Sequence, residues 1–488
     1  MYPDINIVKQ YAKQYKRVPI SMELYADQYT TIEVLRILQN ASHHCYLLES
    51  ASQDEQWGRY SFLGYRPKLE ITCLNHNLKI KDLDTGNIKE SYVKHPNQEI
   101  RNILCEYKSP KIEGLPPFTG GLVGYFSYDY IKYSEPKLSL NHPTEFNDMD
   151  LMLFDTVICF DHYKQKIILI TGCFTEDVEN FYKEAEERLM NVKELLRQGK
   201  KKTLSPLILQ EELRLESSEE KFIQMVDRAK HYIHEGDIFQ VVLSNPIRAK
   251  ATGSLFNTFR VLRATNPSPY MFYFSSDDIE MAGASPETLV KLDEKKLFTF
   301  PLAGTSKRGN TKEEDKRFEE ELLNDPKERA EHNMLVDLGR NDIGRISKIG
   351  SVQVEKYMEI EHFSQVMHIG STVTGTIRDD LDSLDAIDSI LPAGTLSGAP
   401  KFRACEIIEE LEKSQRGIYG GAIGYLDFSG NLDTCIAIRL VYKKNNEICI
   451  RSGAGIVADS QGEKEFMECR HKAQAVVNAI QMAQEELE

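Results

Sequence analysis

The sequence predicts an α/β protein, and two kinds of segment support this. Short stretches that alternate or run apolar between turn residues predict strands, and longer stretches with apolar residues at helical spacing predict helices. Hydrophobic residues make up 41% of the 488 positions and charged residues 28%, which is typical of folded proteins. We therefore expect two or three domains, or one large α/β body, with a sizeable core.

The first 190 residues predict a strand-rich α/β region. Strands are expected in "KLEITCLNHNLKIKDL", "MLFDTVICFD" and "QKIILITGCF", and a helix at "YKEAEERLMNVKELLRQ". The basic and then polar stretch "GKKKTLSPLILQEELRLESS" follows and indicates a domain boundary near residues 198–217. We predict an N-terminal region over residues 1–200 and a C-terminal domain over residues 217–488.

The C-terminal part alternates predicted strands with predicted helices. Ser217 followed by Glu220 has the spacing of a capping box, which predicts the first helix there. The expected strands are "IFQVVLSNPI", "SQVMHIGSTVTGT", "NLDTCIAIRLVY" and "EICIRSGAGIV", and the further helices are "EDKRFEEELLNDPKERAEHNMLVDLGRND", "APKFRACEIIEELEK" and "EKEFMECRHKAQAVVNAIQMAQ". The chain has no GxGxxG or GxxxxGK[ST] motif, so no local sequence supports a nucleotide-binding fold.

Charge and cysteine usage exclude several classes of protein. The formal net charge is -15, with 75 acidic and 60 basic residues, which argues against a nucleic-acid-binding surface. No apolar run approaches the length needed to span a bilayer. The nine cysteines form no CxxC pair, so reduced thiols are expected rather than a disulfide framework or a zinc site. We predict a cytoplasmic protein.

Two pairs of glutamates recur at helical spacing. Glu328 and Glu331 lie three residues apart before "HNMLVDL", and Glu465 and Glu468 lie three apart before "AQAVVNAI", so each pair shares one helix face. A solvated charged face is the simpler alternative for either pair alone. Mg²⁺, however, prefers a few carboxylates and takes its remaining oxygens from water and an anionic substrate. One carboxylate from each helix, supported by its neighbour, would make such a site.

A first candidate anion-binding group lies between the two pairs. The segment "LPAGTLSGAPKFRACEII" puts Thr395, Ser397 and Gly398 just before a helix that is predicted to begin near Pro400. Unpaired N–H groups and the helix dipole favour an anion at such a helix start. An ordinary helix cap is the alternative interpretation of this segment.

Two further segments could hold a carboxylate. In "RSGAGI", Gly453 and Gly455 at a strand end would let a ligand approach the backbone closely. In "DTCIAIRLVY", Arg439 is predicted to share a strand face with the small residues Cys435 and Ala437, which leaves room for a ligand carboxylate. An ordinary turn and a surface arginine are the alternatives. Together with the acidic pairs, these groups predict a Mg²⁺ site for a small polycarboxylate.

Several motifs resemble those of a known family. "PLAGTSKRG", "EHNMLVDLGRNDIGRIS", "VMHIGSTVTG", "GTLSGAPKFRACEIIEELE", "RGIYGGAIGYLDFSGNLDTCIAIR" and "RSGAGIVADSQGEKEFMECRHKA" resemble the chorismate-binding domain of the anthranilate synthase large component. The resemblance covers residues 218–475, and the N-terminal "YLLESA" resembles the tryptophan-binding segment of that component. It implies stacked antiparallel β-sheets flanked by outer helices, with the active site in a cleft between the N-terminal and C-terminal parts.

The resemblance also implies roles for individual residues. It makes Glu331 and Glu468 the Mg²⁺ ligands, with Glu328 and Glu465 in an outer shell and the ring carboxylate of chorismate completing the coordination. Arg439 and Tyr419 would bind the enolpyruvyl carboxylate. The full set of implied chorismate contacts is Gly304, Thr305, Thr395, Tyr419, Arg439, Gly453, Ala454 and Gly455.

Members of the family make isochorismate, salicylate, aminodeoxychorismate or anthranilate from chorismate, so other positions must separate the reactions. Gln240 stands where water-adding relatives carry a lysine base, which fits ammonia as the nucleophile. Ala303 stands where aminodeoxychorismate synthases typically carry a lysine. Both positions favour anthranilate. An aminodeoxychorismate synthase and a non-catalytic tryptophan sensor remain the alternatives.

The implied mechanism has two steps. Ammonia attacks carbon 2 of chorismate while the carbon 4 hydroxyl leaves, assisted by Mg²⁺ and by Glu287 as general acid. The aminated intermediate then loses pyruvate and becomes aromatic. His368 resembles the family histidine implicated in this elimination, either as a proton-transfer group or as a positioning group. A histidine on a strand is more often structural when the family is set aside.

The resemblance finally implies a partner and a regulator. None of the cysteines has the glycine-flanked context of a glutaminase nucleophile, so ammonia is expected from a separate glutamine amidotransferase subunit, as a heterotetramer. Ser50 and the run Pro269, Tyr270 and Met271 match the family's tryptophan contacts, which implies feedback inhibition by L-tryptophan. A strand end packed against a proline turn is the alternative interpretation of these residues.

Overall fold

The computed structural model describes residues 1–50, 58–142, 146–309, 311–362 and 366–484. The helices in these ranges are α1 Ile5–Tyr11, α2 Thr31–Ala41, α3 Asn97–Glu106, α4 Ile131–Ser134, α5 Val178–Gln198, α6 Glu219–His234, α7 Phe256–Thr265, α8 Lys312–Asn324, α9 Pro326–Gly344, α10 Ser383–Ile390, α11 Lys401–Glu412 and α12 Gly462–Ala483. None of them combines the length and the apolar character that crossing a bilayer requires.

The strands belong to two large antiparallel sheets. They are β1 Arg17–Tyr25, β2 Cys45–Glu49, β3 Tyr60–Tyr65, β4 Leu69–Leu74, β5 Asn77–Asp82, β6 Ile88–Tyr92, β7 Gly121–Phe126, β8 Met149–Phe154, β9 Thr156–Asp161, β10 Lys166–Phe174, β11 Ile208–Leu209, β12 Arg214–Leu215, β13 Gln240–Thr252, β14 Tyr270–Ser275, β15 Ile279–Ser285, β16 Thr288–Asp293, β17 Lys296–Thr299, β18 Leu302–Lys307, β19 Gln353–His362, β20 Val366–Thr376, β21 Gly398–Ala399, β22 Ala422–Asp427, β23 Leu432–Ile436, β24 Leu440–Lys444 and β25 Glu447–Ile456.

Both sheets take strands from both predicted regions of the chain. The first sheet has the order β1-β10-β9-β3-β2-β14-β15-β24-β25-β13-β11, with β12 and β21 also paired to β13. The second has the order β18-β20-β17-β16-β23-β22-β7-β8-β4-β5-β6, with β19 paired to β20. Hydrogen bonding therefore joins residues 1–200 to residues 217–488 through the β2–β14 and β7–β22 ladders. The predicted boundary separates regions of sequence rather than separate sheets.

The two sheets stack face to face around a buried aromatic layer. Side chains alternate along each strand, so in β2 Tyr46 points into this layer while Leu47 packs on the opposite face. The ring centroid of Tyr46 lies 4.7 Å from that of Phe154 in the other sheet, and that of Phe62 lies 5.9 Å from that of Tyr425. On the outer faces of the two sheets, helices pack against further apolar clusters. This architecture confirms the predicted fold class of stacked antiparallel sheets with outer helices.

Two segments predicted as single strands instead cross between the sheets. "MLFDTVICFD" forms β8 in the second sheet and β9 in the first, and "NLDTCIAIRLVY" forms β23 and β24 in the same way. At the first crossover Asp155 is buried and pairs with Arg17 at 2.7 Å and Lys68 at 3.0 Å. These cations hold the pKa of Asp155 below its usual range against the effect of burial. The apolar pattern of the sequence is the same whether a strand continues in one sheet or the chain crosses to the other sheet.

Two helix boundaries also differ from the sequence predictions. The N-cap of α6 is Ser218, whose hydroxyl accepts the Lys221 N–H, whereas the N–H of Ser217 donates to Asn245. The long helix predicted at "EDKRFEEELLNDPKERAEHNMLVDLGRND" is divided into α8 and α9 before Pro326. Proline is suited to the first turn of a helix but not to its interior, so it begins α9 with Asp325 as the N-cap.

Candidate active site

A pocket near the second crossover gathers six of the residues predicted to bind or act on chorismate. They are Glu287, Thr395, Tyr419, Arg439, Gly453 and Gly455. Glu287 follows β15, Thr395 lies in the short 3-10 turn Gly394–Leu396, and the two glycines lie in β25. The pocket therefore draws on segments that are more than 150 residues apart in the sequence. Long-range pairing within and between the sheets is what brings them together.

Arg439 occupies a different position from the one that its sequence context predicts. It does not share a strand face with Cys435 and Ala437, because β23 ends at Ile436 and the chain crosses to the other sheet. Arg439 adopts a left-handed backbone with φ of 50°, which is uncommon for a residue with a long side chain. Its carbonyl accepts the Ala284 N–H at 3.1 Å. The crossover, rather than a flat strand, thus sets the position of this guanidinium.

Glu287 and Arg439 influence each other across the pocket. Burial raises the pKa of Glu287, and the charges of Arg439 and Lys472 partly oppose this. Burial likewise lowers the pKa of Arg439, and Glu287 opposes it. The Thr395 hydroxyl donates to Oε2 of Glu287 at 3.4 Å. A carboxyl with a raised pKa in a cleft is suited to deliver a proton, which is the role predicted for Glu287.

Two glycines of β25 lie close to neighbouring groups. A Cβ at residue 453 would lie 2.7 Å from the carbonyl oxygen of Leu243 and 2.9 Å from the hydroxyl of Tyr419, so glycine is required there, whereas one at residue 455 would lie 2.9 Å from Nε2 of the flexible Gln240 side chain. Gln240 is buried, and its Oε1 has no hydrogen-bond partner among the described residues. Gln240 therefore lies directly beside the pocket. Ala454 does not line it, since its side chain packs on the opposite face in an apolar cluster.

His368 is anchored close to Gly304. Its Nδ1 lies 2.7 Å from the carbonyl oxygen of Gly304, which can only accept a hydrogen bond, so Nδ1 carries the proton. Burial lowers the pKa of His368, the Gly304 bond opposes this, and the charge of Arg439 lowers it further. The neutral imidazole is favoured, with Nε2 as its basic nitrogen. Gly304 has φ of 65°, and the backbone of Thr305 continues β18, whereas its side chain lies outside the described structure.

The two acidic pairs lie on α9 and α12, as predicted, and approach one another. Burial raises the pKa of Glu328, and the charges of Glu331 and, from the other helix, Glu468 raise it further. Burial and the charge of Glu468 similarly raise the pKa of Glu465. Glu328 and Glu465 are half-buried, while Glu331 and Glu468 are exposed. The helices therefore bring together carboxylates whose mutual repulsion a cation would relieve.

These carboxylates are the kind of ligand that Mg²⁺ prefers, but they do not complete its coordination by themselves. Within the described ranges, no group of three or more histidine, cysteine or acidic side chains is arranged to hold a metal ion. Mg²⁺ needs only one or two protein carboxylates when water and an anionic substrate supply its other ligands. Oε2 of Glu328 also lies 3.1 Å from where a Cβ of residue 304 would be, so Gly304 leaves room for that carboxylate.

Two basic residues of the pocket were missed in the sequence. Lys472 lines the pocket and pairs with Glu468 at 2.7 Å, and its i, i+4 spacing from that glutamate could have indicated this contact. Arg451 also lines the pocket, two residues before Gly453 on the same strand. It is buried and pairs with Glu412 at 3.4 Å. No local signal marks Glu412 as its partner, because 39 positions of sequence separate the two.

A second pocket gathers the four residues predicted to contact tryptophan. Ser50, Pro269, Tyr270 and Met271 line it, together with aromatic side chains such as Tyr425. Residue 51, the last of the "YLLESA" segment, lies outside the described residues. Both sheets contribute to this pocket, which lies beside the layer between them.

Glu49 also lines this pocket, and two neighbouring side chains hold its carboxylate. Its carboxylate accepts hydrogen bonds from Arg263 at 2.5 Å and from the Thr31 hydroxyl at 2.6 Å. An incoming ammonium group would therefore meet a carboxylate that is already paired.

Tyr270 connects this second pocket to the candidate active site. Its hydroxyl donates to Asp433 at 2.8 Å and lies 2.9 Å from the hydroxyl of Thr288, which directly follows Glu287. The Ser285 hydroxyl donates to the carbonyl of Ile436 at 2.7 Å, and the N–H of Ile436 donates to the carbonyl of Glu287 at 2.9 Å. The turn at residues 285–288 thus carries Glu287 of one pocket and contacts Tyr270 of the other.

Comparison with known proteins gives consistent matches over most of the chain. Residues 43–478 match the family of chorismate binding enzymes. Anthranilate synthase component 1 of Acetivibrio thermocellus is 45% identical over 497 aligned positions, covering 99% of this chain and 99% of that protein. The same component of Aquifex aeolicus is 43% identical and covers 99% of this chain and 98% of its own length.

Solved structures agree with these sequence matches. Anthranilate synthase component I of Streptococcus pneumoniae TIGR4 superimposes with a TM-score of 0.75 at 40% identity, covering 86% of this chain and 92% of its own. MenF, the menaquinone-specific isochorismate synthase of Escherichia coli, superimposes with a TM-score of 0.69 at 17% identity, covering 98% of each chain. The second match supports the fold alone.

Proposed function

Because this chain belongs to the chorismate binding enzymes and, within them, to the anthranilate synthase component 1 proteins, we propose that it converts chorismate and ammonia into anthranilate and pyruvate. This lyase reaction would be the first step of tryptophan biosynthesis. The observation that carries the proposal is the pocket in which a protonatable Glu287 faces Arg439, with Tyr419 beside them.

Chorismate has two carboxylates, and the pocket offers a separate environment for each. The enolpyruvyl carboxylate would bind to Arg439 and the Tyr419 hydroxyl. The ring carboxylate would face the acidic pairs, where Glu331 and Glu468 would hold a Mg²⁺ ion with Glu328 and Glu465 behind them. When bound, the ion would supply positive charge that offsets the ring carboxylate and orients it. Gly304, Thr305, Thr395 and the backbone of residues 453–455 would enclose the ring.

The side chains of the pocket would act in two steps. Ammonia bonds to carbon 2 and gives up its surplus proton to solvent, while the carbon 4 hydroxyl takes the proton of Glu287 and leaves as water. Both ring double bonds shift in this step, from carbons 1–2 and 5–6 to carbons 1–6 and 4–5. Elimination then removes the carbon 2 proton and the enolpyruvyl oxygen, which gives pyruvate and the aromatic ring. The neutral His368 imidazole, fixed by Gly304, would position or accept this proton. Gln240 lies beside the pocket and cannot deprotonate water, which supports ammonia as the nucleophile.

Product analysis tests this proposal. The purified chain with chorismate, ammonium and Mg²⁺ should release anthranilate and pyruvate in equal amounts, measured by anthranilate fluorescence and a coupled pyruvate assay. Accumulated aminodeoxychorismate without pyruvate would show that Ala303 does not exclude that reaction. His368→Ala should slow pyruvate loss more than amination. His162→Ala, at another histidine with a lowered pKa but outside both pockets, is the control and should change neither step.

Ammonia is proposed to come from glutamine on a separate amidotransferase subunit, in a heterotetramer. Eight of the nine cysteines are buried free thiols, and Cys105 is the exposed one. Burial raises the pKa of Cys45 and Cys469 to about 12, and of Cys73 and Cys173 to about 11, so these thiols are poor nucleophiles. The chain alone should accordingly use ammonium and not glutamine. Free thiols also agree with the proposed cytoplasmic location.

Feedback inhibition by L-tryptophan is proposed for the second pocket. An indole ring fits apolar and aromatic walls such as those that Met271 and Tyr425 provide. The turn at residues 285–288 gives a route for inhibition, because it contacts the Tyr270 hydroxyl and carries Glu287. Tryptophan would stabilise an arrangement that binds chorismate poorly, and chorismate would weaken tryptophan binding by the same factor.

Ser50→Phe should relieve this inhibition because a bulky ring would fill the second pocket. We expect the tryptophan concentration for half-inhibition to rise by about 100-fold or more, which corresponds to losing roughly 3 kcal/mol of binding. Turnover without tryptophan should stay close to that of the wild type. Inhibition curves at several chorismate concentrations provide the measurement. If millimolar tryptophan neither binds to nor inhibits the wild-type chain, the regulatory proposal is wrong and the catalytic one is unaffected.

A further inference from the structure

The candidate active site rests on a buried ion pair that the proposed reaction does not itself use. Glu412 ends α11, and Arg416 lies four residues later in the connection that leads to Tyr419. Both side chains are 1% exposed. Nε and Nη2 of Arg416 donate to the two carboxylate oxygens of Glu412 at 3.0 and 2.5 Å. The charges of Arg416 and Arg451 lower the pKa of Glu412 against the effect of burial, so the pair is ionised.

The guanidinium of Arg416 also binds two carbonyls that belong to pocket walls. Nη1 donates to Leu396 at 2.5 Å, and Nη2 donates to Val242 at 2.7 Å. Leu396 follows Thr395 in the short turn, and Val242 lies two residues after Gln240 in β13. Both line the pocket. The same guanidinium lies 5.8 Å from the ring centroid of Tyr419. Three separate chain segments that line the pocket therefore lie against the planar guanidinium of Arg416.

The carboxylate of Glu412 reinforces this arrangement. Its Oε1 accepts the N–H of Ser244 at 2.7 Å and the Ser244 hydroxyl at 2.9 Å, which ties it to β13. Its Oε2 lies 3.4 Å from Nη2 of Arg451 on β25. The pair thus contacts both neighbouring strands of the pocket as well as the turn that holds Thr395.

We propose that Arg416 is a positioning residue for chorismate, which fixes the spacing of the Thr395 turn, β13 and Tyr419. The proposal rests on the function proposed above. A buried ion pair is weak evidence for stability, because well-packed apolar residues of similar size often stabilise a fold as well or better. What apolar residues cannot do is hold two carbonyls and a carboxylate in a fixed plane. Lysine cannot do so either, since its donors radiate from one point.

The chain offers a matched control in a second buried arginine. Arg17 is 0% exposed and pairs with the 3% exposed Asp155 at 2.7 Å. It also donates to two carbonyls, those of Thr119 and Asp155. Arg17 lines neither of the two pockets described above. Arg17→Lys and Arg416→Lys therefore remove comparable buried interactions, and only the second lies against the chorismate pocket.

The test compares both variants of the full chain with chorismate, ammonium and Mg²⁺. Because small misplacements of binding groups carry large kinetic effects, Arg416→Lys should lower kcat/KM for chorismate by about 100-fold, with KM raised about tenfold. Its tryptophan affinity should stay within about twofold of the wild type, since the second pocket is unaffected. Arg17→Lys should lower Tm without changing kcat/KM. A folded Arg416→Lys variant with wild-type kcat/KM would overturn the proposal.

A milder substitution keeps the proposal testable if Arg416→Lys does not fold. Ser244→Ala removes one hydroxyl bond to Glu412 and should lower kcat/KM by about threefold to tenfold at nearly unchanged Tm. Unchanged kcat/KM would overturn the proposal. The chorismate-dependent rise in Tm provides the same comparison without turnover. A wild-type chain that binds chorismate but makes no anthranilate would refute the proposed function, while the loss or retention of the Tm rise in Arg416→Lys would still decide the role of Arg416.

Discussion

Replacing Glu331 or Glu468 with glutamine is expected to lower anthranilate formation by about 100-fold or more while the fold stays intact. Each substitution removes one negative charge from a site where a hard cation needs it. The stability of the fold should not decrease, because each substitution also removes a repulsive charge. That repulsion is seen in the raised pKa of Glu328, to which the charges of Glu331 and Glu468 contribute. Mg²⁺ titration by calorimetry in the presence of a substrate analogue measures the affinity, and Tm measures the fold.

Two controls separate a metal ligand from a general charge effect. Glu463→Gln removes a charge from the first turn of α12, at an exposed residue outside the site, and should change neither Mg²⁺ affinity nor activity. Glu465→Gln removes an outer-shell group and should cost about tenfold in Mg²⁺ affinity. Wild-type Mg²⁺ affinity in both Glu331→Gln and Glu468→Gln would show that these residues do not hold the ion.

Glu287→Gln is expected to lower kcat by about 10²-fold to 10⁴-fold, the usual contribution of a general acid. Glutamine preserves the size of the side chain and can still accept the hydrogen bond of Thr395, so substrate binding should change little. The leaving hydroxyl, however, would depart without a proton. Rates at saturating ammonia and chorismate measure the effect, and a single-turnover experiment isolates the amination step.

The raised pKa of Glu287 also predicts the direction in which activity changes with pH. Because burial raises the pKa of Glu287, the carboxyl stays protonated above its ordinary range, and activity should fall as the pH rises through that raised pKa. The falling limb should be missing in Glu287→Gln. Glu280→Gln, at another half-buried glutamate of the same sheet region, is the matched control and should keep the wild-type profile. A Glu287→Gln variant with more than about a tenth of wild-type activity would rule out this general acid.

The sequence by itself determined the features that depend on near neighbours in the chain. The glutamate pairs of α9 and α12 follow from i, i+3 spacing on one helix face, and in the structure both pairs lie on helices, although the helix predicted for the first pair is divided before Pro326. Local sequence context already indicated Arg439 and the glycines of β25 as candidate binding residues, and similarity to family motifs added Tyr419 and implied the role of each residue. The fold class followed from the same resemblance, and the two stacked antiparallel sheets confirm it.

Only the tertiary structure decided what depends on pairing between distant segments. The apolar pattern of "NLDTCIAIRLVY" does not indicate that this segment is divided between two sheets. It therefore does not indicate the left-handed backbone of Arg439 either. The contact of Arg416 with Val242 likewise joins residues 174 positions apart. Periodicity reports which face of an element is buried, but not which element covers it. For that physical reason, neither the ion pair beneath the pocket nor the contact of the 285–288 turn with Tyr270 could be predicted before the sheets were assembled.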